Sequence, residues 1–449
     1  MLEERIDEWR SFLLQRRAAD TQHVDELEDH LRSQVSQLSA VGLDEEEAFL
    51  IAIKRLGSRD AGSRDYVREY SERLWKRMLV APGDTGSRAV WKEAVVALTL
   101  ATAAGVAVKV PELFGKTLAE PEPDVSFYAR NLSLFVLPWL ACFFFWKRGL
   151  TSVERVWLAV PFVLSAAVVN LLPFESLGHT EMLAALHLPI ALWLTVGIAY
   201  AGGQWLEHQQ RMNYVRFSGE WFIYYALVAF GGGVLMGITV FVFEAIGLNV
   251  EWLIGQWVLP CGALGAVIVC AWLVETKQGV IENMAPVLTM IFTPLFTLLL
   301  LVLLGTMLWT RSGISIEREV LIGFDLLLVV VVGLVLYALT ARDPRQQPGF
   351  FDAMQLLLVV CALLVDAMAL WAIVARLSEF GSSPNRVAAL GENLILIVNL
   401  GWSAVLYAGI LLRKVSIKAL ERWQTAYLPV YAFWAWFVVA IFPLAFGFR

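Results

Sequence analysis

The sequence has few charged residues for its length. Of 449 residues, only 17% are Asp, Glu, Lys or Arg, and 58% are apolar. Soluble domains usually carry about 25% charged residues. A water-soluble protein cannot bury that much apolar surface. The scarcity of charge therefore excludes a soluble enzyme and a disordered chain, and it indicates a protein with many membrane-spanning segments.

Cysteine and recognisable catalytic motifs are also lacking. The four cysteines, Cys142, Cys261, Cys270 and Cys361, all lie in apolar runs, and no CxxC or Cys/His metal spacing occurs. GxSxG, Walker A, HExxH and dinucleotide-binding motifs are absent. We therefore predict no enzyme activity, no metal and no cofactor. The lack of a basic stripe excludes a nucleic-acid partner.

Charge is distributed unevenly along the chain. The first 87 residues carry a net charge of −5 out of the total of −6. No apolar signal sequence opens this segment, so we expect it to stay in the cytosol. Its apolar residues follow three helical stripes, and a further helix is predicted over 60–79. The stripes comprise Leu2, Ile6, Trp9 and Leu13, then Val24, Leu27, Leu31, Val35 and Leu38, and lastly Phe49, Ala52, Ile53 and Leu56.

These stripes predict a soluble helical bundle over residues 1–80, followed by a linker over 81–87 that contains Pro and Gly. Asp44 is the predicted cap of the third helix, with Glu47 as its capping-box partner. His23 and His30 lie on the second helix among acidic residues. We interpret them as part of a solvated acidic face and not as metal ligands.

The N-terminal segment contains the motif DELEDHLR at 25–32, followed by Gly42-Leu43, by EEAF at 46–49 and by RLG at 55–57. In these residues it resembles the bacterial permease prefix domain of the HAAS type. Such domains precede permease bodies, and relatives accompany PadR-type repressors. The resemblance implies a regulatory or assembly role, with a cytosolic regulatory protein or self-association through residues 1–80. The body also resembles an uncharacterised family of multi-spanning bacterial proteins, in residues 127–138, 219–225 and 384–400.

The remainder of the chain contains eleven apolar runs long enough to cross a bilayer, which needs about 20 residues in a helix. They are 90–110, 127–146, 153–172, 181–200, 219–246, 251–274, 285–310, 319–341, 351–376, 387–412 and 428–446. The fold class is therefore predicted to be all-α, with residues 88–449 forming a polytopic helical membrane domain in contact with lipid.

The orientation follows from the basic residues. With the N-terminus in the cytosol, the cytoplasmic connections carry more Lys and Arg than the opposite ones, as the positive-inside rule requires. An odd number of spans then places Arg449 outside the cell. With the family resemblance, this predicts a multi-pass protein of the bacterial inner membrane.

Ionisable residues within the spans are candidates for a functional site, because a charge in the bilayer is costly and usually faces the protein interior. The candidates are His187, Asp325, Asp366, Glu392, Asn393 and Asn399. Counted at about 1.5 Å per residue, the four ionisable groups lie in the outer half or at the middle of their spans. We therefore predict a polar pocket open to the outside, with counter-charges from Lys109, Arg130, Arg376 and Arg386. The alternative is a set of buried ion pairs that only fix helix packing.

Small and helix-breaking residues give a second pattern. Gly231, Gly232, Gly233 and Gly237 lie in one span and predict close helix packing or, alternatively, a flexible break. Prolines interrupt five spans, at Pro138, Pro161, Pro189, Pro260 and Pro294. Transporters use such breaks, but inert bundles also contain them.

Two functions remain open. The first is a permease-like transporter or channel regulated through its cytosolic head. The second is a membrane sensor whose outward-facing pocket detects a ligand while the head signals to a cytosolic partner. A cavity that traverses both halves of the membrane favours transport, and a pocket that ends at mid-membrane favours sensing.

Overall fold

A computed structural model of the chain describes residues 6, 9, 21–40, 48–49, 51–52, 84–118, 124–245, 248–276, 284–310, 318–342 and 347–448. The regular structure within these ranges is helical throughout. The chain divides into two compact units, Met1–Ala89 and Val90–Arg449.

In the first unit, helix α1 spans Thr21–Ala40. Ile6, Trp9, Leu31, Val35, Ala48, Phe49 and Ala52 are buried, and all seven belong to the predicted stripes or stand beside them. His30 is exposed. The Asp44 cap, the helix predicted over 60–79 and residues 81–83 of the linker lie outside the described residues, so the soluble bundle stays a prediction.

The second unit contains eleven helices that are long and apolar enough to cross a membrane, which confirms the predicted number and places of the spans. We number them α2 to α12. Their bounds are α2 Asp84–Ala107, α3 Val125–Lys147, α4 Ser152–Leu171, α5 His179–Tyr200, α6 His208–Ala245, α7 Glu251–Thr276, α8 Met284–Thr310, α9 Arg318–Ala341, α10 Phe350–Phe380, α11 Pro384–Leu411 and α12 Ile417–Ala445.

Three helices begin six or more residues earlier than the sequence predicts. Helix α2 starts at Asp84, so the last four residues of the predicted linker are helical. Helix α6 starts at His208 and α12 at Ile417, each about a dozen residues before the apolar run that predicted it. The added turns are polar, and hydropathy detects only the part of a helix that lies in lipid.

The prolines within the spans do not break the helices, contrary to the sequence-based expectation. Pro138, Pro161, Pro189 and Pro294 lie inside uninterrupted helices. Near Pro260, helix α7 contains a π-helical turn, Ile254–Val258. Such a turn is a common local adjustment where a proline removes a backbone donor.

The helices of the second unit form two groups, each with its own apolar core. Helices α2, α3, α5, α6 and α7 supply nearly all of the first core. Helices α8 to α12 supply nearly all of the second. The groups meet where α5 packs on α11 and α12 and where α6 packs on α9 and α12. We call this contact the seam.

Hydrogen bonds at the helix ends and in the connections define the two ends of the bundle. Glu175 N donates to Phe448 O at 3.0 Å, and Asn385 Nδ2 lies 2.9 Å from His179 Nδ1. We call this end the predicted outer face. At the opposite end, Arg148 Nε donates to Tyr200 O at 2.9 Å. We call that end the predicted inner face, and its orientation in a cell stays a prediction.

Candidate functional site

The first contact of the candidate site joins the two helix groups across the seam. His187 Nε2 on α5 lies 2.6 Å from Glu392 Oε1 on α11, and His187 Nδ1 lies 2.8 Å from the carbonyl oxygen of Leu183. A carbonyl oxygen can only accept, so Nδ1 carries a hydrogen. The Nε2 and the Glu392 carboxyl group therefore share one proton, either as imidazolium with carboxylate or as imidazole with carboxylic acid.

A second contact lies one residue further along α11. Asn393 Nδ2 donates to Asp325 Oδ1 on α9 at 2.8 Å and to the Ala389 carbonyl oxygen at 2.8 Å. Asn393 is fully buried, and its Oδ1 accepts no hydrogen bond from the described residues. Asp325 lies within electrostatic range of both Glu392 and Asp366.

Asp366 is the most deeply placed of these groups. It lies about 21 Å from the end of the 31-residue helix α10, at 1.5 Å per residue, which is close to the middle of a bilayer. Its side chain is fully buried, and neither carboxylate oxygen has a hydrogen-bond partner among the described residues. An ionised carboxylate in such surroundings is costly. We call His187, Asp325, Asp366, Glu392 and Asn393 the acid cluster.

Apolar side chains cover the acid cluster on its outer side. Leu183 and Ala388 lie one helical turn before His187 and Glu392, and they pack with Val438 and Phe442 of α12. This small apolar core lies between the His187–Glu392 contact and the predicted outer face.

Asn399 belongs to a different polar network. Its side chain exchanges hydrogen bonds with Gln424 of α12, at 3.3 and 3.1 Å. Gln424 Nε2 also donates to Ser403 Oγ at 2.7 Å, and Trp423 Nε1 donates to the Asn399 carbonyl oxygen at 3.1 Å. These bonds join α11 to α12. This network is a helix-packing contact. It matches the alternative stated above, in which buried polar residues only fix how the helices pack.

Three of the predicted counter-charges have other partners. Arg130 Nη1 lies 2.6 Å from Oε1 of the buried Glu181, and Lys109 Nζ lies 2.6 Å from Glu112 Oε1. Arg386 donates to the carbonyl oxygens of Phe380 and Gly381, at 3.1 and 2.7 Å, and so caps the end of α10. Arg376 lies on α10, about 15 Å along the helix axis from Asp366.

The four glycines lie on a part of α6 where none of them is buried, and the helix continues unbroken past them. A Cβ atom added at Gly231, Gly232, Gly233 or Gly237 would meet no described atom within 4 Å. Within the described part of the chain, these glycines are therefore neither a helix-packing surface nor a break.

A cavity of about 510 Å³ lies at the predicted inner face. The ends of α3, α5, α6 and α7 line it, and most of its lining is polar. Its charged residues are Arg148, Arg216, Glu220 and Glu275. Arg216 also donates to the Thr340 carbonyl oxygen of α9 at 3.0 Å, so the cavity adjoins the seam.

One acid of this cavity, Glu275, is closely paired with two basic side chains. Arg148 Nη2 lies 3.1 Å and Lys147 Nζ 3.5 Å from the nearly buried Glu275 carboxylate. Arg148 also lies over the Tyr200 ring, at 4.7 Å from its centroid. Sequence reasoning missed this cavity because each residue stands at a helix end, where a charge is expected. The sequence contained one indication of the cavity: two acids, Glu220 and Glu275, stand at the same end of two apolar spans.

Among the described residues, no group of three or more His, Cys, Asp or Glu side chains is arranged to hold a metal ion. The acid cluster is thus a set of pairwise contacts and not a coordination shell. No family model, curated protein or solved structure matches the chain.

Proposed function

We propose that this multi-spanning membrane protein is a permease-like transporter with its polar cavity open at the inner face. The observation that carries the proposal is the pairing of an open polar cavity on one face with a buried acid cluster that is covered on the other face by apolar side chains. A transporter needs such an arrangement, because one side of the solute path must be closed while the other is open.

The two-core architecture supports this proposal. Alternating access moves one helix group against another around a site at their contact. Polar contacts bridge the seam at several depths: His187 with Glu392, Arg216 with Thr340, and His208 Nδ1 with Thr425 Oγ1 at 3.3 Å. Contacts of this kind can exchange partners when two groups separate, whereas an interdigitated apolar core resists small displacements.

The test is solute flux into liposomes that contain the purified chain. Radiolabelled amino acids, sugars and nucleosides are offered one at a time, and uptake is compared with that of protein-free liposomes. The half-buried Gln210 lines the cavity, whereas the neighbouring Gln209 is exposed and does not. We expect Gln210→Trp to fill part of the cavity and to lower uptake at least tenfold, and Gln209→Trp to leave it unchanged.

Two results would overturn the proposal. One is that no offered solute enters faster than in protein-free liposomes. The other is that Gln210→Trp and Gln209→Trp transport equally well. Both variants change an inner-face glutamine to the same large residue, so a difference between them reports the cavity and not the general tolerance of α6 for tryptophan.

The sensor hypothesis is favoured by two observations, the separate compact unit Met1–Ala89 and the lining of the polar cavity, which comes from the predicted inner face alone. We propose that this unit, through its resemblance to permease prefix domains, regulates the membrane domain. A chain that moves no solute, but whose N-terminal unit changes its protease sensitivity when a solute binds the membrane domain, would be a sensor.

A further inference from the structure

The acid cluster has more acidic than basic groups. One imidazolium and three carboxylates would leave a net charge of −2 in the interior of the bundle. The packed helices supply little compensation. Helix α8 has no ionisable residue over 284–310, and α12 has no charged residue beyond Arg422. The neighbouring cations Arg130 and Arg386 are bound to Glu181 and to backbone carbonyl oxygens.

Each helix around Glu392 supplies a defined set of groups. Facing it are His187 from α5, Asp325 from α9 and, through Asp325, Asp366 from α10. Tyr427 and Tyr431 are the titratable groups of α12 beyond Arg422. Elsewhere on these helices, charges stand at the ends: Glu181, Arg318, Glu319, Asp352, Arg376, Glu379 and Arg386.

Three buried oxygen atoms, on two side chains, show that the cluster lacks hydrogen-bond donors. Asp366 offers two carboxylate oxygens and Asn393 offers its Oδ1, and none of them accepts a hydrogen bond from the described residues. Both side chains are fully buried. A buried acceptor without a donor is costly, by about 1–3 kcal/mol for a neutral group and more for a charged one. A proton on a carboxyl group would remove the charge and supply a donor.

We propose that the acid cluster is a proton-binding site, and that protons are the coupling ion of the transporter proposed above. The proton shared by His187 and Glu392 is the best defined. When it moves, the Nε2–H bond breaks, an O–H bond forms on Glu392, and an ion pair becomes a neutral pair. No atom is gained or lost. Further protons taken from water neutralise Asp325 and Asp366.

Glu392 and Asp325 are the two partly exposed acids of the cluster, and Glu392 has the contact with His187. The Glu392 side chain is 32% exposed, whereas those of His187 and Asp366 are buried. It lies about 12 Å from the start of α11, a depth at which contact with hydrocarbon is costly. The partly exposed acids are therefore the part of the cluster nearest to its surroundings.

Infrared spectroscopy of the purified full chain tests the site without any solute. A protonated carboxyl group absorbs at a higher frequency than a carboxylate, and the band shifts in D₂O. We expect wild type to show buried carboxylic-acid bands near neutral pH. Asp366→Asn and Asp325→Asn should each remove one component, because the neutral amide replaces the protonated acid at nearly the same size. Glu379→Gln changes an exposed acid on α10, and it should leave these bands unchanged.

Absence of a buried carboxylic-acid band in wild type would overturn the proposal, as would bands that are unchanged from wild type in both variants. The result is separable from that of the flux assay. If the bands are present and no solute moves, the transport proposal is refuted and the proton-site proposal is supported. If solute moves and the bands are absent, the transport proposal is supported and the proton-coupling proposal is refuted. Thermal unfolding of each variant verifies that the amide substitutions keep the fold.

Discussion

Gly391, the residue before Glu392, is expected to be intolerant of any side chain. A Cβ atom placed there would lie 2.0 Å from Trp434 Cη2 and 2.3 Å from its Cζ2. The indole would have to move by about 1 Å or more to reach an ordinary contact distance. It has little room, because its ring stacks on Phe437 at 5.7 Å and meets Phe442 edge-on at 6.0 Å.

The expected change in stability of Gly391→Ala follows from two opposing contributions. Overpacking of a well-packed site costs about 1–3 kcal/mol. Replacing glycine by alanine inside a helix contributes up to about 1 kcal/mol of stability. Gly401, ten residues further along the same helix, has no atom within 4 Å of an added Cβ. Both variants, Gly391→Ala and Gly401→Ala, gain the same stability from replacing a helical glycine by alanine. The remaining difference is the overpacking at Gly391, so Gly391→Ala should be less stable than Gly401→Ala by about 1–3 kcal/mol.

The measurement is thermal unfolding in detergent, followed by a dye that reacts with thiols. Cys270 and Cys361 are buried, so their labelling reports loss of tertiary structure. We expect Gly391→Ala to unfold a few degrees below Gly401→Ala. Equal unfolding temperatures would refute the reasoning, since they would mean that Trp434 does not rest on Gly391. Gly391→Ala should also displace Glu392 from its contact with His187.

Two further predictions concern other parts of the bundle. Gln424→Leu should destabilise the chain by about 1–3 kcal/mol, because it removes the hydrogen bonds of the buried Asn399 side chain; adding Asn399→Leu should recover part of the loss, and an additive double variant would contradict the contact. A reporter that is active only in the cytosol, fused after Arg449, should be silent, and strong activity would mean that the predicted orientation is inverted.

The spans were predictable because the bilayer imposes a length. A helix that crosses hydrocarbon needs a continuous apolar run, and all eleven runs correspond to helices. The polar first turns of α6 and α12 were not predictable by the same signal. Ser416 caps α12 through a hydrogen bond from Lys418 N, at 3.3 Å, and a cap of this kind gives only a weak local signal outside the apolar run.

The acid cluster was predictable in part for a related reason. Ionisable groups in lipid must find one another, and the structure brings His187 to Glu392 and Asn393 to Asp325. The choice of partners was not predictable. Arg130 is bound to Glu181, a residue of the α5 first turn, because α3 packs on α5. The order of residues along a chain does not specify which helices become neighbours.

The two intramembrane polar networks differ in how completely their groups are satisfied, and this difference separates structure from function. Asn399 and Gln424 exchange two hydrogen bonds, and Gln424 adds a third to Ser403, so little remains for a ligand to contribute. Asp366 has none from the described residues. Buried polar groups left without partners are rare in native proteins because they are costly. A group that persists in that state is therefore a candidate to bind something that comes and goes, and for a deeply buried carboxyl group the smallest such ligand is a proton.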